Sequence, residues 1–461
     1  MKHTRSIDLA RRALLRRAAL TGVAGAAAPW ALNLSLIADA AALEAGDDYK
    51  ALVCIFLYGG NDFASTLIPF DDDHHALHAA IRRDLTTPQA ALAATALSPI
   101  EPLPGGLQYA LAPQLAPLKA LWDQGDLAIQ LNVGPLIQPT TKAQYSARSV
   151  PLPPKLFSHN DQQSIWQSDL PEGAKSGWGG RIGDLLLSGN GASVFTCVSV
   201  TGNAVYLSGT QAVQYQIGTA GAVAINGLVG ALYGSATAQA ALRKLITAES
   251  AHLFEAEYAR VTRRSIDAEA QVSAALAALP PLATGFDAGN PLASQLKMVA
   301  RLIAARADLG ARRQVFMVSL GGFDVHDGLA ERQPALLAAV ADAMVSFHAA
   351  TVELGVADRV TAFTASDFGR TYGINGDGSD HGWGSHHFVM GGAVNGRRCY
   401  GVAPAVAVNG PDDVGQGRLL PTTGVDPFAA TLATWLGVGA GELATVVPNI
   451  GNFDRSRLGF V

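Results

Sequence analysis

The sequence predicts an α/β protein: a mostly parallel central sheet flanked by helices, with a helical insertion. Three observations carry this. Ala51 to Tyr58 is a continuous apolar run, as in a strand buried on both faces of a parallel sheet. Further short strands, at Leu127 to Val133, Ser193 to Val200, Gln314 to Leu320 and Val360 to Thr364, alternate with helical patterns. Two strands end alike, in Gly-Gly and then an acid: Tyr58-Gly59-Gly60-Asn61-Asp62 and Leu320-Gly321-Gly322-Phe323-Asp324. With 461 residues, 49% of them hydrophobic, the chain can bury a sizeable core.

Residues 1–42 read as an export leader. Six basic residues, including Arg11-Arg12 and Arg16-Arg17, precede a short Ala/Gly-rich apolar region from Ala18 to Ala28. Arg11-Arg12 resembles the twin-arginine pattern, with Ala10 where serine is usual. That implies the twin-arginine export machinery as a partner, a periplasmic or exported location, and passage in the folded state. Small residues at 38–42 offer cleavage positions. Later apolar runs are broken by Gly, Pro or charge, so no integral membrane segment is expected after the leader. Without residues 1–42 the chain keeps 27 basic against 36 acidic residues, and so acidic a body excludes bulk nucleic-acid binding. Three distant cysteines, Cys54, Cys197 and Cys399, show no zinc-thiolate spacing.

From residue 43 the body reads in order. The first strand delivers Asn61 and Asp62 past its carboxyl end, where open α/β sheets place functional groups. Asp71 to Ala80 looks like a helix start, which puts His74, His75 and His78 on the surface. A helix at Ala112 to Asp123 leads into the strand at 127–133. Ser158 or Asn160 can cap the helix after Leu156, and its start presents a hydroxyl, an imidazole and an acid, Ser158, His159 and Asp161. A hydroxyl at a helix N-terminus can serve as a nucleophile, and it can equally be an ordinary cap. Residues 238–279 form a long helical pattern within an insertion at about 201–290, packed on the sheet and in reach of the site as a cover. Asn290-Pro291 are N-cap and N1 of a helix to about Leu309. Asp324 and His326, two apart in an extended segment, point the same way. A helix from about Pro334 to Leu354 crosses back to the strand that ends in Ser366-Asp367.

The stretch after Asp367 gathers chemistry. Asp367 to Gly392 holds His381, His386 and His387 in a glycine-rich loop. Asp62, Asp324 and Asp367 end three strands, and with His326, His381 and His386 they offer six donors, enough for one or two divalent ions. Mixed carboxylate and imidazole suit Zn²⁺ or Mn²⁺. Two ions would suit phosphoryl or sulfuryl transfer. Arg370, three residues past Asp367, suits an anionic oxygen. His387, at the start of an apolar run, reads as structural.

The leader and the motifs LYGGND, SHNDQQ, GGFDVHD, SDFGRT and DHGWGSHHFVMGG resemble the bacterial family catalogued as domain of unknown function number 1501. The resemblance spans nearly the whole mature chain. It implies an alkaline-phosphatase-like fold, near the sulfatases. It would match Asp62 to the first-strand metal aspartate and Asp324 with His326 to the paired Asp/His ligands, which are usually spaced more widely. Asp367 would match the aspartate of an Asp-His-Gly motif, with Phe368 in the histidine's place, and His381 or His386 the last histidine. Ser158 is the best match to the nucleophile. No Cys-x-Pro-x-Arg sequence is present, so a formylglycine sulfatase is not expected. The implied function is an exported, metal-dependent hydrolase of phosphate or sulfate esters acting on an anionic small molecule or polymer. The alternative is a non-catalytic metal- or polymer-binding envelope protein on the same fold.

Overall fold

The computed structural model describes residues 49–461, except 192, the side chain of 193, and 455–457. The leader expected in residues 1–42 lies outside the described residues. The strands are β1 (Lys50–Leu57), β2 (Leu67–Pro69), β3 (Tyr109–Leu111), β4 (Leu127–Gly134), β5 (Cys197–Ser199), β6 (Tyr215–Gln216), β7 (Arg313–Leu320), β8 (Val360–Ser366), β9 (Ser385–Met390), β10 (Cys399–Tyr400) and β11 (Thr423–Gly424). The helices used below are α1 (Asp72–Arg82), α2 (Ala116–Gln124), α3 (His159–Ser168), α4 (Trp178–Leu186), α5 (Ala236–Ile246), α6 (Leu253–Ala278), α7 (Pro291–Ala304), α8 (Leu329–Glu353) and α9 (Val425–Leu436).

β1 is the centre of a mostly parallel sheet of order β10-β4-β9-β8-β1-β7-β5-β6, with β11 also on β4. In this sheet, among the described residues, only β9 runs antiparallel, to β4 and β8; β2 and β3 form a separate antiparallel pair. Residues 51–56 of β1 are all but fully buried. Burying a side chain such as Ile55 or Phe56 is worth roughly 1.5–3 kcal/mol. β7 and β8 flank β1 in parallel, and Leu57 pairs with both Leu320 and Ser366. The three chains therefore leave the sheet at one level. The first Gly-Gly pair has a packing reason there. Gly59 and Gly60 have φ of 114° and 85°, where glycine alone is unstrained. A Cβ on Gly59 would lie 2.3 Å from the Asp324 amide nitrogen, and one on Gly60 2.5 Å from the Phe368 ring.

Local signals hold at the crossover helices. Asn290 caps α7 through the N–H groups of Leu292 and Ala293, with Pro291 at N1, a cap worth about 1 kcal/mol. By length and composition α8 could cross a membrane, contrary to the sequence expectation. Its Leu337, Val340, Met344 and Phe347 are buried in the main core, as in a core helix. The helical pattern at 238–279 is two helices, α5 and α6. α6 adds Val272 and Leu276 to the core. Gln271 donates to the carbonyl of Asp308, near where β7 begins, whereas the strand-end acids lie where β7 ends.

Two sequence expectations change here. His78 is not a surface residue: it is buried, its Nδ1 lies 2.9 Å from the Tyr372 hydroxyl, and burial lowers its pKa to about 3. Asp62 is buried against the α1 residue Arg82, whose Nη2 donates to both carboxylate oxygens at 3.0 and 2.9 Å. Ser65 N–H and Ser379 Oγ donate to the same carboxylate at 2.8 and 2.7 Å. Burial pushes the Asp62 pKa up, but Arg82 and these donors outweigh it and hold the group ionised. We expect Arg82→Leu to cost about 3–5 kcal/mol in urea unfolding at pH 7, because a buried charge loses its partner. Since Asp62 has a depressed folded pKa, its stabilisation in the wild type is present at neutral pH and fades as pH falls below about 4.

Candidate metal centre

At the shared exit of β1, β7 and β8, three imidazole nitrogens meet. Nε2 of His381 lies 3.0 Å from Nε2 of His159 and 3.0 Å from Nε2 of His326. Asp324 completes the group: its Oδ1 is 2.9 Å from His326 Nε2 and 3.5 Å from His381 Nε2, and its Oδ2 is 3.4 Å from His159 Nε2. The second nitrogens fix the tautomers. His159 Nδ1 faces the Asp367 carboxylate at 2.7 Å and His381 Nδ1 faces the Phe157 carbonyl at 2.8 Å, so both must be N–H donors. In the neutral rings the two Nε2 atoms then confront each other lone pair to lone pair. A shared proton or a cation between them removes that repulsion. A metal–nitrogen bond of about 2.0–2.1 Å lets nitrogens this close share one ion, and the N–H of the His159 and His381 rings is already held from behind, as metal-binding histidines require.

The surrounding elements explain why these rings converge. His159 opens α3, and the chain before it is bent: Lys155 and Phe157 have φ of 49° and 72°, which aims the Phe157 carbonyl at His381. Asp367 ends β8 fully buried, and its Oδ2 accepts from Gly59 N–H (3.1 Å), His159 Nδ1 (2.7 Å) and Gln163 Nε2 (2.8 Å). Its Oδ1 is buried with no partner. His326 is held close by Gly378, where a Cβ would sit 2.2 Å from the His326 backbone. Phe368 forms an apolar wall 4.8 Å from both the His159 and the His381 ring. Asp324 and His326 remain 45% and 41% exposed, so one side of the cluster is open.

The charges follow from these contacts. The hydrogen bond to Asp367 raises the His159 pKa against partial burial, so this ring holds a proton readily. Burial, with His159 and Arg370 nearby, lowers that of His381. Burial would raise that of Asp324, but Arg370 and the histidines outweigh it and keep it anionic.

The structure sorts the residues expected from sequence. Asp324, His326 and His381 come together, and His159 joins them as a full member. Asp62 does not: Arg82 takes its carboxylate. Asn61 is buried and bonds Thr66 and Gln333. Asp367 stands behind His159 rather than among the donors. His386 points away: its Nδ1 accepts from the Asn132 N–H at 3.0 Å, its ring packs on Phe63 and Tyr109, and burial lowers its pKa to about 3. His387 packs on Trp166 from the other face of β9 and is lowered likewise. Arg370 is no free anion contact, being buried and donating to Asp324 Oδ1 (2.6 Å), the Gly59 carbonyl and the Ser379 carbonyl. Ser158 sits at the N-cap but caps nothing; its Oγ donates to Asp161 at 3.0 Å. Asp161 also pairs with Lys155 at 3.3 Å. Sequence reasoning passed over Asp380, 3.7 Å from His326 Nδ1, and Gln163. The run His159-Asn160-Asp161-Gln162-Gln163 carried the signal for Gln163, since positions 159 and 163 share a helix face.

The family model described as "Protein of unknown function (DUF1501)" matches residues 49–430. The chain belongs to that family. No curated protein sequence matches it significantly. Among solved structures, Ps i-CgsB is similar at 10% identity, with 88% of this chain and 78% of that one covered and a TM-score of 0.37. The lipoteichoic acid synthase LtaP from Listeria monocytogenes gives 9% identity, 88% and 76% coverage and a TM-score of 0.33. Ps i-CgsB in complex with k-i-k-neocarrahexaose gives 11%, 88%, 77% and 0.34. At such identities and scores the likeness says nothing of residues or activity.

Replacing the carboxylate behind His159 isolates its effect. In chelator-treated protein, Asp367→Asn should lower the His159 titration midpoint followed by NMR. A raised folded pKa stabilises fully below the unfolded value and is lost as pH rises through the folded one. The variant should therefore lose more stability at pH 5 than at pH 9; an equal loss at both would show that the pair carries no linked proton.

Proposed function

We propose that this chain binds a divalent ion, zinc or manganese, through His159, His381 and Asp324, with His326 beside them, and hydrolyses phosphate or sulfate esters with it. The convergence of three Nε2 atoms beside one carboxylate carries the reading. Such a mixed donor set suits these ions better than Mg²⁺ or Ca²⁺, which prefer oxygen. Asp367 and the Phe157 carbonyl would hold two rings in the ligating tautomer, and Arg370 would position Asp324. Phe368 would exclude water from behind, while the open side at Asp324 and His326 admits solvent and an ester. When bound, the ion would supply Lewis-acid activation of water and of the ester oxygens. Ser158 is engaged with Asp161, so water is the favoured nucleophile. The basic and apolar leader supports twin-arginine export and action in the periplasm on an anionic small molecule or polymer.

Ion binding should depend on this set. His159→Ala and His381→Ala should lose the ion by elemental analysis, whereas Asp62→Asn and His386→Phe should keep it. Asp367→Asn should weaken it by about 10–100-fold. Affinity should fall as pH drops, because the proton favoured on His159 competes with the ion.

Activity is tested separately. The zinc- or manganese-loaded chain should hydrolyse at least one ester in a panel of aryl phosphates and sulfates, and lose that with chelator or with His381→Ala. A second reading, ion or polymer binding without turnover, draws on the engagement of both Arg370 and Ser158 in the fold. A loaded chain inert across the panel would leave that second reading standing alone.

A further inference from the structure

An ester of phosphate or sulfate brings charge that needs a cation, and Arg370 is enclosed. We propose that Arg418 is the anion contact of this site, an inference that rests on the ester reading above. Arg418 is fixed at two points, both belonging to the support of His381. Its Nε–H donates to the His381 carbonyl at 3.0 Å, and its guanidinium lies 4.5 Å from the centroid of the Phe157 ring. Phe157 is the residue whose carbonyl holds His381 Nδ1. The arginine therefore follows the same two residues that aim a donor into the centre.

Its charge is uncompensated. Arg370 pairs with Asp324 and Lys155 with Asp161, whereas among the described residues no carboxylate pairs with Arg418. With Nε engaged, the terminal nitrogens of this half-buried side chain have no hydrogen-bond partner among the described residues. A guanidinium lying on an aromatic face keeps its edge free, and that planar edge matches two oxygens of a tetrahedral oxyanion.

The loop that carries it is preset. The buried Asp413 carboxylate accepts from the N–H groups of Asn409 (2.6 Å), Gly415 (2.7 Å) and Gly417 (3.0 Å). Tyr372 N–H donates to the Gly417 carbonyl at 2.8 Å, locking this loop to the segment after β8. A Cβ on Gly417 would meet the Gly373 nitrogen at 2.5 Å, so the two loops touch through glycine. Little ordering is left for an anion to induce, and preorganisation of this kind lowers the cost of binding.

The test uses inorganic phosphate and sulfate as probes, titrated calorimetrically into the full chain, zinc-loaded and chelator-treated. Arg418→Met should weaken oxyanion binding at least tenfold while zinc content stays that of the wild type. Phosphate bound in preference to sulfate points to phosphate esters, and the reverse to sulfate esters. A variant that binds both anions as the wild type does, or a wild type that binds neither, overturns the proposal. Should Arg418→Met not fold, the wild type decides: phosphate must protect Arg418 from phenylglyoxal by peptide mass spectrometry, and an unprotected Arg418 overturns it. Zinc that never binds, with oxyanion binding still dependent on Arg418, sinks the metal reading alone. Zinc that binds, with oxyanions indifferent to Arg418, sinks this inference alone.

Discussion

One buried oxygen, Oδ2 of Asp367, draws together the parts on which the site depends. It takes an N–H from the exit of β1, the ring of the first residue of α3 and an amide one turn further along that helix. Hydrogen bonds to an ionised group are worth about 1.5–3 kcal/mol each, and a buried carboxylate without them is too costly to keep. Asp367 thus obliges α3 to dock at this height, and in docking sets which His159 nitrogen is free. The other contacts adjust around that choice: Phe157 turns its carbonyl to His381, and Arg370 neutralises Asp324 from beneath.

Much of the sheet was legible because buried parallel strands announce themselves as apolar runs. β1, β7 and β8 were readable, and so was the level at which they end, since each closes on glycine or a small residue and then an acid. The family was legible too, from short motifs that turn out to surround one sheet edge. The donor set was less so, for physical reasons. A strand-end aspartate can turn inward as easily as outward, and Asp62 found Arg82 on α1, which no local pattern tied to it. His381 and His386 are five apart, yet one lies in a loop bridge and the other in a strand whose faces are both covered. His159 had only the look of a helix start, because the carboxylate that makes it a donor is 208 residues away.

The glycines are better understood as spacing than as flexibility. Gly59, Gly60, Gly378 and Gly417 each stand where a neighbouring backbone or ring comes closer than a methyl group allows. Two loops, one crossover strand and a helix start can crowd round a cluster only if their backbones nearly touch. Alanine at Gly59 would push Asp324 outward and open the cluster with every donor still present.

The donors come from three widely spaced parts of the chain: 222 residues separate His159 from His381, and 55 separate His326 from His381. No fragment of ordinary length contains the set. A cation held by these rings, as proposed, would act as a clasp between the two halves of the polypeptide, fastened only once both have reached the same sheet edge. Its binding energy would accrue to the finished domain and to none of its pieces, so occupancy would be a readout of complete folding.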